Sequence, residues 1–106
     1  MIDICLQRNS SGFLWAFSLK GHAKAAPHGQ DIVCAGVSAL AQAAVLGLER
    51  HLRMELHLSV AEGLLEAELK EAPTEQSSAI LETMLLGLRE IERLYPRYLK
   101  IRENRR

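Results

Sequence analysis

The chain has 106 residues, 48% of them hydrophobic and 25% charged, and its 13 basic residues balance 13 acidic ones. This composition excludes a disordered chain, and the balanced charge excludes a strong overall attraction to nucleic acid or to an anionic membrane. The length fits one compact domain over residues 1–106 and is too short for two.

Two alternating runs open the chain. The stretch "MIDICLQ" places three apolar residues on one face: Ile2, Ile4 and Leu6. After the turn residues "RNSSG", the stretch "FLWAFSL" places four large side chains on one face: Phe13, Trp15, Phe17 and Leu19. Alternation on both sides of a turn predicts a β-hairpin with a buried aromatic side.

A loop and a helix follow the hairpin. The segment from Ala23 to Gln30, "AKAAPHGQ", has no periodicity and contains proline and glycine, which predicts a mobile loop. From Asp31 to His51 the chain is rich in helix formers and apolar on most sides, so we expect a helix that packs against more than one layer. Asp31 is the predicted N-cap.

The second half of the chain repeats this order. The stretches "MELHLSV" and "LLEAELK" alternate around the turn "AEG", which predicts a second hairpin with these residues inward: Leu56, Leu58, Val60, Leu65, Ala67 and Leu69. After Pro73 and Thr74, apolar residues recur at helical spacing: Ile80, Leu81, Met84, Leu85, Leu88 and Ile91. A final strand is predicted at about 97–102.

The predicted order is strand, strand, helix, strand, strand, helix, strand, which is typical of a single α+β domain with a sheet packed on two helices. We see no run of about 18 apolar residues and no signal peptide, and therefore expect a cytoplasmic protein without membrane contact. In a reducing compartment, Cys5 and Cys34 are both expected to be free thiols.

The basic residues cluster near the end of the chain, in "RYLKIRENRR". We interpret this segment as a solvated strand with a frayed end. Contact of the same segment with RNA is the alternative.

The candidate chemistry lies around the loop. Cys34 falls in the first turn of the predicted helix, where the positive end of the helix dipole favours a thiolate, and His22 follows the second strand directly. By spacing alone, the pair of Cys34 and His22 is weak evidence for catalysis, and Cys34 is better explained as a small buried residue. Asp31 is either a cap alone or also a support for the site.

Two further patterns are open to more than one interpretation. Cys34, Ser38 and Gln42 form one polar stripe that lines a cleft or faces solvent. His22, His28 and Cys34 are potential metal ligands, but without a fourth ligand or a CxxC spacing zinc is not expected. Cys5, within a strand, is predicted to be structural.

At these residues the sequence resembles the ribosomal-processing cysteine protease (Prp) family. The similarity rests on "GHA", a short loop and "GQDIVCAGVSAL", and it extends through the second hairpin to the closing "YPRYLKI". It implies a homodimeric α+β cysteine protease, without cofactor or metal, that removes a short N-terminal extension from a large-subunit ribosomal protein.

The resemblance also implies roles for single residues. His22 and Cys34 match the family's catalytic pair, and Gly21, Asp31 and Ser38 match residues that support the site or the substrate. The segment from Ala23 to Gln30 matches a mobile loop that covers the substrate. The alternative function is a non-catalytic binding module that associates with the ribosome or with RNA through the basic tail and the sheet surface.

Overall fold

A computed structural model describes residues 1–22 and 31–105. The elements follow in this order: β1 (Ile2–Arg8), β2 (Leu14–Lys20), α1 (Ile32–Leu46), a π-helical turn (Gly47–His51), β3 (Leu56–Ala61), β4 (Leu64–Leu69), α2 (Glu75–Leu94) and β5 (Leu99–Arg105). This is the order that the sequence predicts. The last strand begins and ends later than the expected range 97–102.

The strands form one five-stranded sheet in the order β3-β4-β2-β1-β5. Neighbouring strands are antiparallel, except that β1 and β5 are parallel. Both helices contribute to a single hydrophobic core with the sheet, through residues such as Leu6, Val37 and Leu88. The fold is therefore α+β with a sheet packed on two helices, as predicted.

The first hairpin departs from the predicted alternation at one end. Phe17 and Leu19 are buried as expected, but Leu14 is fully buried whereas Phe13 is only half-buried. The register between β1 and β2 shifts between Gln7 and Arg8. Such a bulge adds a residue to one strand and changes which side chains face the core, so strict alternation predicts the wrong residue here.

The second hairpin also departs from expectation. Leu56 is buried, but Leu58 and Val60, which were predicted to point inward, are 41% and 70% exposed. They alternate with Leu56 along β3 and so share its face of the sheet, where no described helix covers them. The end of β3 is therefore one wall of an open cavity.

The central helix is more apolar than expected. Within Ile32–His51 a window of 18 residues has a mean hydropathy of 1.7, so this helix is long and apolar enough to cross a membrane by length and composition alone, contrary to our expectation of no such run. Val33, Val37 and Ala41 are buried in the core. A core helix that packs on a sheet accounts for this composition.

One group of charged residues joins three elements away from the helix α1. Arg8, at the end of β1, donates hydrogen bonds to Glu82 of α2 and to Glu103 of β5, each at 2.7 Å, and to the carbonyl oxygen of Gly12 at 2.9 Å. The hydrogen bonds from Arg8 and Arg89 hold the pKa of Glu103 below its ordinary value of 4.5. This network fixes the far edge of the sheet to α2.

Candidate active site

The helix α1 begins with the side-chain cap that the sequence predicts. Asp31 is buried, and its Oδ1 accepts hydrogen bonds from the backbone N–H groups of Val33 at 2.9 Å and Cys34 at 3.0 Å. The N–H of Ala35 donates to the carbonyl oxygen of Asp31 at 3.0 Å. The cap thus fixes the backbone that carries Cys34, and it already engages the N–H groups of Val33, Cys34 and Ala35.

Cys34 and His22 line one cavity of about 580 Å³. One wall is α1, and the other is formed by the ends of β2, β3 and β4. The lining is mostly apolar and includes Leu19, Val37, Val45, Leu58, Val60 and Leu65. A concave apolar site with a few convergent polar groups is the form that ligand and substrate sites take.

Two separate parts of the chain hold His22 in place, namely the start of the chain at Met1 and the turn between β3 and β4 at Gly63. Gly21 has φ +94°, and its N–H donates to the carbonyl oxygen of Gly63 at 2.8 Å. The nitrogen of Met1 donates to the carbonyl oxygen of His22, also at 2.8 Å. A Cβ atom added to Gly63 would lie 3.0 Å from His22 Nε2, so the imidazole rests against the turn between β3 and β4.

The polar stripe on α1 lies inside this cavity. Cys34, Ser38 and Gln42 all line it, and Gln42 Nε2 donates a hydrogen bond of 2.7 Å to Ser38 Oγ. Of the two interpretations of this stripe, the structure therefore favours the cleft. The site brings together Gly21, His22, Cys34 and Ser38, with Asp31 directly behind Cys34.

Among the cavity residues that sequence reasoning did not assign to a site are Gly63, Leu58, Val60 and Glu49. The sequence indicates only that Gly63 is a turn residue. Its proximity to His22 is not visible there, because the two residues are distant in the chain and only the fold brings them together. Helical spacing alone could have identified Glu49, since it continues the helical face of Cys34, Ser38 and Gln42.

Several predicted features lie away from the cavity. Cys5 lies on the sheet face opposite the helices, where its Sγ accepts hydrogen bonds from Gln7 at 3.5 Å and Asn104 at 3.3 Å, consistent with a structural role. Among residues 1–22 and 31–105, no three His, Cys, Asp or Glu side chains are grouped to hold a metal ion. The predicted loop from Ala23 to Gln30, with His28, lies outside the described residues.

A thiol at a capped helix start, in a cavity that it shares with an imidazole, is the chemistry of cysteine proteases, which activate a Cys nucleophile with a neighbouring base. The chain is a member of this class of enzyme. More narrowly, it belongs to the family described as cysteine protease Prp, whose family model matches residues 1–100.

Relatives support this assignment over nearly the whole chain. The ribosomal processing cysteine protease Prp of Bacillus subtilis is 32% identical over 110 residues, which cover 98% of this chain and 98% of the relative. The protein of the same name from Staphylococcus aureus is 31% identical over 98 residues, which cover 90% of this chain and 92% of the relative.

Solved structures show the same fold. The S. aureus ribosomal processing protease Prp with a covalently linked product peptide superposes with a TM-score of 0.92 at 26% identity, covering 97% of this chain and 99% of that one. The S. aureus protease with a substrate peptide gives a TM-score of 0.86 at 25% identity and the same coverage.

Proposed function

We propose that this protein is an endopeptidase that removes a short N-terminal extension from a large-subunit ribosomal protein, with Cys34 and His22 as its catalytic dyad. The observation that carries the proposal is that these two side chains line one cavity. The names of the relatives support a ribosomal substrate, and the product peptide linked covalently to the S. aureus protease supports a covalent intermediate.

The reaction divides peptide hydrolysis into two steps. The thiolate sulfur of Cys34 adds to the scissile carbonyl carbon, and the carbon–nitrogen bond then breaks as His22 gives a proton to the departing amine. His22 next takes a proton from water, the resulting hydroxide adds to the thioester carbon, and Cys34 leaves again as a thiolate. The positive end of the α1 dipole favours the negative charge that develops on the carbonyl oxygen.

Three further residues act as supports in this proposal. Asp31 holds the backbone of Cys34 through its cap. Gly21 allows the chain to turn directly before His22 with φ +94°. Ser38, one helical turn beyond Cys34, presents a hydroxyl to the peptide in the cavity.

The test is mass spectrometry of the host's ribosomal protein after incubation with the wild-type protein and with Cys34→Ala, His22→Ala and Cys5→Ala. Wild type and Cys5→Ala are expected to make one cut near the N-terminus of the substrate. Cys34→Ala is expected to make none and His22→Ala almost none, because each removes one partner of the dyad. Normal cleavage by Cys34→Ala would end the proposal.

Thiol reactivity gives an independent measurement with a matched control in the same chain. At neutral pH, iodoacetamide is expected to alkylate Cys34 faster than Cys5, because Cys34 lies at a helix start and lines the cavity, whereas Cys5 lies within β1 and does not line it. Equal rates at the two thiols would argue against an activated Cys34.

We also propose that the enzyme works in the cytoplasm as a homodimer. Charged side chains of opposite sign lie at opposite sides of the sheet face that α1 and α2 leave open, with Glu66 and Glu68 on β4 and Lys100 and Arg102 on β5. Two copies related by a two-fold axis can bring these groups together. Light scattering is expected to give twice the chain mass of 11.8 kDa.

A further inference from the structure

The cavity continues along the whole of α1 and is not confined to the surroundings of Cys34. Its lining includes Cys34, Ser38, Gln42 and Leu46 on α1, and then Glu49 in the π-helical turn. From Cys34 to Glu49 the chain makes about four helical turns, a distance of about 22 Å at 1.5 Å per residue. An extended peptide advances about 3.3 Å per residue, so about seven residues fill this length.

Glu49 differs from the rest of this lining. It is the one carboxylate among the lining residues that the structure describes, and it lies beside the apolar Val45 and Leu46. In the described part of the chain, no Lys or Arg forms an ion pair with it. The following residues, Arg50 and His51, are exposed and do not line the cavity.

The helix itself adds to the charge at this end. The last carbonyl groups of a helix carry partial negative charge, which favours a cation near them. The cavity therefore has a positive helix end at Cys34 and a negative end at Glu49. A peptide that lies along α1 with its scissile bond at Cys34 meets this negative end about seven residues away.

We propose that Glu49 is a specificity-determining residue that selects peptides with a lysine or arginine about seven residues from the scissile bond. This inference rests on the proposed function, because it places the scissile bond at Cys34. The apolar walls take the residues between the scissile bond and the basic residue, and the carboxylate of Glu49 pairs with the ammonium or guanidinium group. Since Glu49 is exposed, the pair is of the surface kind, whose free energy reaches about 1 kcal/mol, or a factor of about five in affinity.

The experiment measures peptide binding to Cys34→Ala protein by fluorescence anisotropy, so that it does not depend on cleavage. The probes are peptides with the sequence of the ribosomal N-terminal segment in which every basic residue is replaced by Gln. Each peptide of the set then carries a single Lys at a different position. We expect about fivefold tighter binding when Lys is about seven residues from the cleaved bond. That preference for Lys is expected to vanish with Glu49→Gln. With Glu49→Lys, the tighter binding is expected instead for peptides that carry a single Glu at the same position.

Glu75→Gln is the matched control, because Glu75 is an exposed glutamate in the first turn of α2 that does not line the cavity, and it is expected to leave the preference intact. The role of Glu49 would be overturned if the Cys34→Ala protein bound all Lys positions with equal affinity, or if the preference persisted after Glu49→Gln. Either result would show Glu49 as a solvated surface residue only. Cleavage by the wild-type protein is scored separately. A flat binding profile with normal cleavage therefore refutes this inference and leaves the proposed function intact.

Discussion

Replacement of Gly21 by alanine tests how the sheet positions His22. At φ +94° an L-residue is strained, with a cost of about 1–2 kcal/mol in the free energy of unfolding. The added Cβ would also lie 2.5 Å from the carbonyl oxygen of Met1, whereas ordinary van der Waals contact begins at 3.4 Å. One of the two backbone segments must therefore move by nearly 1 Å.

The strain cannot be relieved without moving His22. The nitrogen of Met1 donates to the carbonyl oxygen of His22 at 2.8 Å, and the next residue, Ile2, is buried and donates its N–H to Tyr98 at 2.9 Å. A displacement of about 1 Å at a catalytic group lowers activity by about a hundredfold. We expect Gly21→Ala to lose about 2–3 kcal/mol of stability and about a hundredfold in kcat/KM.

Gly12→Ala is the matched control for this substitution. Gly12 has φ +91°, but a Cβ there would meet only the end of the flexible Arg105 side chain, and Gly12 does not line the cavity. Urea unfolding should show a loss of about 1–2 kcal/mol for this variant, with kcat/KM unchanged. If folded Gly21→Ala keeps kcat/KM within about threefold of wild type, our account of how His22 is positioned is wrong.

Three further predictions concern supports of the fold and of the site. Asp31→Ala is expected to lose about 1 kcal/mol of stability together with most activity, and full activity at a lowered Tm would reduce Asp31 to a helix cap. Gly63 has φ +70°, so Gly63→Ala is expected to lose about 1–2 kcal/mol of stability, as Gly12→Ala does. Because its Cβ would lie 3.0 Å from His22 Nε2, Gly63→Ala is also expected to lower kcat/KM, and an unchanged kcat/KM would count against the contact. Arg8→Met is expected to lose about 1 kcal/mol at neutral pH by thermal or urea unfolding. Because Arg8 lowers the pKa of Glu103 in the folded state, this stabilisation is present above pH 4.5 and is lost as the pH falls below it, so wild type and variant should converge in acid. A difference in unfolding free energy between wild type and Arg8→Met that stays constant down to about pH 3 would contradict that role.

Local patterns in the sequence were sufficient to predict the elements and one detail of the site. Alternation in "MIDICLQ" and helical spacing from Ile80 to Ile91 each reflect the period of a single element, which neighbouring residues set by themselves. The cap is equally local, since Asp31 accepts hydrogen bonds from residues two and three positions ahead. The resemblance around His22 and Cys34 was also carried by short stretches.

Only the tertiary structure decided what surrounds these residues. The supports of His22 come from Met1 and Gly63, which strand pairing brings together, and no local pattern encodes that pairing. Leu58 and Val60 have the alternation of buried residues, yet they line an open cavity because no described helix covers the end of β3. Periodicity identifies the face of a strand that is apolar, but whether a second layer covers that face depends on where the helices lie across the sheet.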